Sequence, residues 1–192
     1  MEYLMHELFQ KDLLEDERIQ WVGQPESHIL FTRTDIFLVP FSIVWSGFVI
    51  YWEIIAWESG PFAVCFGLPL FLIGLYILFG RFLYKIWKKK NTYYAVTNKR
   101  ILILTKKIFT RSFRATYLNT IPNIDKSVRS DGIGTITFGN QSPWGSWYAN
   151  TGMDFFSSQY GREVPTFYDI KDVNRVYKMV NEMISGEEPG EF

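Results

Sequence analysis

IFLVPFSIVWSGFVIYWEIIAW, Ile36–Trp57, and PFAVCFGLPLFLIGLYILFGRFLY, Pro61–Tyr84, are the two stretches that decide how this chain folds. The first 17 residues of the earlier run carry no charge, and the later run is uncharged until Arg81. A helix needs about 20 apolar residues to cross the hydrocarbon core of a bilayer. Both runs reach that length, the first provided that Glu53 lies near one end. Buried helices of soluble proteins usually keep one polar face. Neither run has one, and the rest of the chain is too poor in apolar sequence to cover two such helices on every side. The pattern predicts two transmembrane helices, 36–57 and 61–84. Only Glu58-Ser59-Gly60 separates them, so they form an antiparallel hairpin.

Charge then orients the hairpin. The 192 residues hold 20 acids and 20 bases, but these are segregated. Residues 1–35 carry eight acids and three bases, residues 36–80 two acids and no base, residues 81–130 thirteen bases and one acid, and residues 131–192 nine acids and four bases. Arg33 precedes the first span; Arg81, Lys85, Lys88, Lys89 and Lys90 follow or end the second; the turn carries acids only. Positive charge stays on the cytoplasmic side of a membrane, which predicts both termini inside and the turn outside. Trp52, Trp57 and Trp87 suit the interfacial belts. Glu53, five residues before Glu58, is expected at the outer interface rather than at the bilayer centre. Ala63 and Gly67, and Ser42 and Ser46, have the small-residue spacing of closely packed helices. The first 30 residues lack the basic start and apolar centre of a signal peptide.

Outside the hairpin the pattern changes. Residues 3–17 suggest a short amphipathic helix through Leu4, Leu8, Leu13 and Leu14, and Arg18–Gly23 alternates like a short strand. Thr92–Thr97 and Arg100–Thr105 read as two strands around an Asn98-Lys99 turn. Phe109–Phe113 is a third strand candidate; Tyr117–Ile121 and Ile124–Arg129 are weaker ones. Asp131-Gly132 signals a hairpin turn before Thr135–Phe138. A Gly-, Ser- and aromatic-rich loop covers 139–164, and Thr166–Tyr168 offers a last strand. Val173, Val176, Tyr177, Val180, Met183 and Ile184 recur at helical spacing, with Asp169 or Asp172 as the cap.

These segments carry a resemblance. The motif Tyr94-Ala95-Val96-Thr97-Asn98-Lys99-Arg100-Ile101 behind a two-helix hairpin and a basic linker resembles the bacterial pleckstrin-homology (PH) domain membrane proteins. Asp131–Gly139 (DGIGTITFG), Phe167-Tyr168-Asp169-Ile170 and the earlier Glu17-Arg18-Ile19 with Gly23-Gln24-Pro25 are similar to segments of the same group. The resemblance covers about residues 15–185 and implies a PH-like barrel of seven strands with a C-terminal helix. The expected fold is thus a membrane α + β protein: a two-helix transmembrane hairpin followed by a PH-like small β-barrel or sandwich and a C-terminal α-helix. The expected organisation is a cytoplasmic segment over 1–35, the hairpin over 36–84, a basic linker over 85–90, a PH-like cytoplasmic domain over 91–186 and an acidic tail over 187–192.

No pattern in the chain points to catalysis. His6 and His28 both lie near the N-terminus, the one cysteine, Cys65, sits in an apolar run, and no zinc-type spacing or Ser-His or Cys-His pairing occurs. Gly132-x-Gly134 lacks the third glycine, the helix and the Lys-Ser/Thr of a phosphate loop. We expect a non-enzyme with no metal and no cofactor. The functional signal is the basic block. Lys88, Lys89 and Lys90 either attract anionic headgroups or merely set topology. Lys99, Arg100, Lys106, Lys107, Arg111 and Arg114 lie where topology does not require them, and stand either for lipid contact or for a solvated face. In PH-like domains such early loops often face the membrane, and the resemblance implies the same here. Trp144, Trp147, Tyr148, Phe155, Phe156 and Tyr160 either form an aromatic contact loop or fold back over the barrel. The expected function is a membrane-anchored binding module at the cytoplasmic face of the bacterial cytoplasmic membrane. It would contact anionic lipid headgroups or a protein partner, and the acidic ends argue against nucleic acid. The alternative is a structural or assembly subunit of a membrane complex or homo-oligomer without a specific lipid.

Overall fold

The computed structural model describes residues 2–153 and 164–186. The chain divides into two compact units. One comprises Leu30–Ile86 with Trp144–Gly161, the other Met1–Ile29, Trp87–Pro143 and Arg162–Phe192.

The first unit is built on two long apolar helices. Helix α1, Glu2–Gln10, belongs to the other unit; helix α2 runs over Asp35–Ser59 and α3 over Pro61–Leu75. One π-helical turn, Tyr76–Gly80, continues α3 into α4, Arg81–Lys90, giving 30 residues of nearly unbroken helix. The reversal between α2 and α3 is a single residue, Gly60, whose φ of 107° a side chain would strain, followed by Pro61 at the first helical position, where no N–H is needed. Both helices are long and apolar enough to cross a membrane. They touch along a narrow seam: Ser42, Val49 and Ala56 of α2 are buried, as are Gly67 and Gly74 of α3. Gly67 lies against the Glu53 carboxylate, which a Cβ there would displace. Most of the large side chains outside the seam, among them Ile43, Val44, Ile54, Phe62 and Phe66, are exposed.

Charge closes the open end of this unit. Arg81, fully buried, donates to Asp35 Oδ1, and its Nε donates to Ile77 O at 2.6 Å. Asp35 also accepts from the N–H and hydroxyl of Thr32, which ties the chain entering α2. Lys85 Nζ donates to Leu30 O at 2.5 Å. Residues 144–153 belong to this unit. Trp147 lies 5.8 Å from Phe37, ring to ring, and Tyr76 donates its hydroxyl proton to Gly152 O at 2.7 Å.

The second unit holds two antiparallel sheets. Strands β1 (Ile19–Gly23), β2 (Thr92–Thr97), β3 (Arg100–Lys106) and β4 (Arg111–Tyr117) form one, in that order. Strands β5 (Ile124–Val128), β6 (Gly134–Phe138) and β7 (Thr166–Ile170) form the other. A short helix, α5 (Pro143–Tyr148), precedes β7, and α6 (Val173–Ser185) follows it. The central strands β2 and β3 are covered on both faces, which explains why Ile101–Leu104 reads as a continuous apolar run rather than alternating. Tyr94, Val96 and Ile101 face a core shared with Ile136, Phe138, Phe167, Ile170 and the Val173–Val176–Val180 stripe of α6. Phe167 is its centre, with ring centroids 4.5 Å from Tyr94, 4.9 Å from Phe138 and 5.8 Å from Trp21. Ala95, Leu102 and Leu104 point the other way and are covered by Phe9 of α1.

Several expectations shift. Helix α1 ends at Gln10 rather than reaching residue 17, and Phe9 anchors it while Leu4 stays exposed. The third strand starts at Arg111, leaving Phe109 in the turn, and Leu118–Thr120 is a 3₁₀ turn, not a strand. Asp172 holds the N-cap position of α6 without a side-chain bond, and Ile184 is exposed. The largest shift concerns the N-terminal segment. Because β1 pairs with β2 and α1 covers the sheet, the folded unit does not begin at residue 91. The apolar hairpin is an insertion between two neighbouring strands of one sheet.

Candidate functional site

Thr97, Asn98, Lys99 and Arg100, in the β2–β3 turn, dock the N-terminal segment. Arg100 Nε and Nη2 reach Glu17 Oε1 and Oε2 at 2.8 and 2.9 Å, a bidentate pair. The same carboxylate accepts from the Thr97 hydroxyl and the Leu14 N–H, each at 2.7 Å. Asn98 Oδ1 accepts from Arg18 N–H at 2.9 Å, and Lys99 Nζ donates to Glu15 O at 2.7 Å. Burial pushes the Glu17 carboxyl up, but the hydrogen bonds from Arg100, Leu14 and Thr97 outweigh it and hold the group below the usual carboxylate range. The Glu17 hydrogen bond raises Arg100 in turn.

Arg100 is 7% exposed, and Lys89 is 4% exposed, so these two leave the set of candidate contact residues. Lys89 Nζ lies 2.6 Å from Asp169 Oδ2 and donates to Ile29 O at 2.6 Å and Glu26 O at 3.1 Å. It joins the end of α4 to the chain before α2 and to β7. A sequence pattern of three adjacent lysines gives no sign that the middle one faces inward. Lys88 is half-buried, and Arg114 is exposed in the middle of β4.

The remaining candidates converge at one end of the four-stranded sheet. Thr92 pairs with Thr105, and Lys106 with Arg111, so the start of β2, the end of β3 and the start of β4 lie together; Gly23 ends β1 beside them. There Lys90, Lys106 and Arg111 line a groove of about 790 Å³ together with Lys11, the residue after α1. Its apolar wall is Leu4, Met5, Leu8 and Tyr93, and Glu7 is the one acid in the lining. Lys106 Nζ sits 5.3 Å from the centre of the Tyr93 ring, which holds the ammonium by cation–π attraction. Arg111 Nη2 donates to Leu8 O at 2.7 Å and pairs with Asp12, fixing α1 as the groove's other wall. Gln24 closes one side, donating to Lys90 O at 2.7 Å. Lys107 is exposed at the adjoining turn, whereas Lys99 lies at the opposite end of the sheet.

Lys11, Lys90, Lys106 and Arg111, the last paired with Asp12, thus stand with Glu7 over an apolar wall. Lys11 and Tyr93 were not legible as members; Lys11 stands among acids, and only the docking of α1 brings it to the groove. Of the aromatic-loop candidates, Trp147 is partly exposed, Tyr148 is half-buried and Trp144 lies in α5. Phe155, Phe156 and Tyr160, like the tail 187–192, lie outside the described residues. Comparison with known protein families, with characterised proteins and with solved structures found no match to this chain.

Proposed function

We propose that the chain is a membrane-anchored binding module. Its hairpin crosses the bilayer, and its seven-stranded unit, PH-like in design, presents the basic groove to anionic lipid headgroups. The observation that carries this reading is the convergence of Lys11, Lys90, Lys106 and Arg111 over an apolar wall, at the sheet end from which the chain leaves for the hairpin and to which it returns. Four strands, three strands and a closing helix support the PH-like assignment. The segregated charge supports cytoplasmic termini and an outward turn, and the Tyr94–Ile101 resemblance supports a bacterial cytoplasmic membrane as the location. Binding, not catalysis, is the activity this geometry serves.

The test uses the full chain in a neutral detergent, titrated with short-chain phosphatidylglycerol or phosphatidylcholine and followed by native mass spectrometry. The anionic lipid should bind preferentially and weaken as salt rises. Each basic residue near a lipid surface contributes about 1 kcal/mol. Replacing Lys11, Lys90 and Lys106 together by Gln should therefore lower affinity by about a hundredfold. Equal binding of both lipids, or no loss in the triple variant, would sink the reading.

An assembly role has one observation in its favour. Within the hairpin, Trp45 Nε1, Ser46 Oγ and Glu53 Oε1 are buried with no hydrogen-bond partner among the described residues. A second copy or another membrane helix could supply partners, and light scattering of the detergent-solubilised chain would reveal a larger species.

A further inference from the structure

The turn between β3 and β4 is Lys107-Ile108-Phe109-Thr110. Ile108 is 76% exposed and Phe109 is 93% exposed. The turn closes through its backbone, Lys107 N–H donating to Thr110 O at 2.8 Å, so neither apolar side chain is needed to hold it. A turn with no local use for an isoleucine and a phenylalanine, yet offering both to the surroundings, has another use for them.

Three features say what covers them. Lys106, Lys107 and Arg111 flank the pair. A second copy placed tip to tip would bring these cations against their like, whereas an anionic surface complements them. The tip also lies at the sheet end tied to the hairpin: Lys106 N–H donates to Asn91 O at 2.8 Å, and Asn91 follows directly on helix α4, the continuation of α3. Finally, a phenylalanine and an isoleucine with Lys106, Lys107 and Arg111 beside them in the chain match the boundary between headgroups and acyl chains. There the apolar groups enter and the long cationic stems reach back to phosphate.

We propose that the β3–β4 turn is a wedge that inserts Ile108 and Phe109 into the bilayer crossed by the chain's own hairpin. The wedge holds the open end of the groove at headgroup level. The groove would then take lipid from the membrane laterally, not a free anion from solution. This inference rests on the reading of the hairpin as membrane-spanning.

The test can separate the two. Cys65 is the single cysteine, is exposed, and lies in α3. The full chain is reconstituted into phosphatidylglycerol–phosphatidylcholine vesicles, and an environment-sensitive fluorophore is attached at Cys65. In a Cys65→Ala background the same label is placed instead through Phe109→Cys, Ile108→Cys or Asn119→Cys. Asn119 is exposed in the 3₁₀ turn next to the Lys99 end of the sheet. Acyl chains carrying nitroxides serve as quenchers. The expected result is quenching with a blue shift at 65, 108 and 109, and water-like emission at 119. Quenching at 65 with water-like emission at 108 and 109 overturns the wedge and leaves the anchor standing. A blue shift at 109 that lipid nitroxides do not quench also overturns it, and points to a protein surface over the tip. No quenching at 65 brings down the anchor reading and the wedge with it.

Discussion

Glu17 in the sheet unit and Glu53 in the hairpin unit are carboxylates in opposite circumstances. Glu17 receives Arg100 on both oxygens, with Thr97 and Leu14 adding further donors. Glu53 has a buried Oε1 that finds no donor among the described residues, with Gly67 against it and no basic residue anywhere in 36–80. The sheet unit uses two buried ion pairs, Arg100–Glu17 and Lys89–Asp169, to fasten distant segments. The hairpin unit places the Asp35–Arg81 pair at the end where the chain enters and leaves, and among the described residues Trp45 Nε1, Ser46 Oγ and Glu53 Oε1 find no partner along its seam. A carboxylate's effect on stability thus depends on the donors around it, more than on its burial.

The largest effect should come from breaking the satisfied site. Glu17→Ala leaves Arg100 buried without its partner and should cost about 3–5 kcal/mol. Denaturant unfolding of the detergent-solubilised chain would show this, and Glu17→Leu with Arg100→Met should recover most of the loss. If the single variant unfolds like the parent, Glu17 does not fasten the N-terminal segment.

The same site predicts a pH dependence. With the folded Glu17 group held below its unfolded value of about 4.3, its stabilisation is fully present above that pH. It is lost as pH falls through the lower, folded value. The stability gap between the parent and Glu17→Gln should therefore be constant from pH 8 to about 5.5 and close in acid. A gap that widens on acidification would contradict the sign.

Glu53 should behave oppositely. Its unpartnered oxygen costs about 1–3 kcal/mol if nothing outside the hairpin serves it. Glu53→Leu should then leave stability unchanged or raise it by about 1 kcal/mol, measured by thermal unfolding in detergent. A clear loss would mean that a partner, protein or lipid, normally reaches this carboxylate. The smallest effect belongs to Lys99, at the end of the sheet away from the groove. Lys99→Gln should change stability by no more than about 0.5 kcal/mol and leave phosphatidylglycerol binding as it was. Lipid binding that fell with Lys99 as much as with Lys106 would erase the distinction between the two ends.

Much of the fold can be read along the chain. The two apolar runs give α2 within two residues and the first residue of α3, because a helix that is apolar all round needs no partner to announce itself; the second helix then continues through the π turn and α4 to Lys90, past the expected end at Tyr84. Asn98-Lys99 marks the β2–β3 turn, and the spacing of Val173, Val176 and Val180 gives the buried stripe of α6. The candidate site is less legible. Lys90, Lys106 and Arg111 belong to it, but Lys89 and Arg100, drawn from the same basic block, do not. Charge sign is local, whereas the direction a lysine faces depends on whether an acceptor such as Asp169 waits 80 residues away.

Periodicity and charge segregation, both properties of neighbours in the chain, were enough to show an apolar hairpin, a basic exit and a strand-rich remainder ending in a helix. Tertiary structure alone joined Ile19–Gly23 to Thr92–Thr97 across the hairpin, laid α1 on the sheet to build a groove wall, and turned two of the cations inward. The reason is physical. Backbone pairing and the burial of a charge are settled by groups far apart in sequence, and their cost is met only when the whole set of donors and acceptors closes at once.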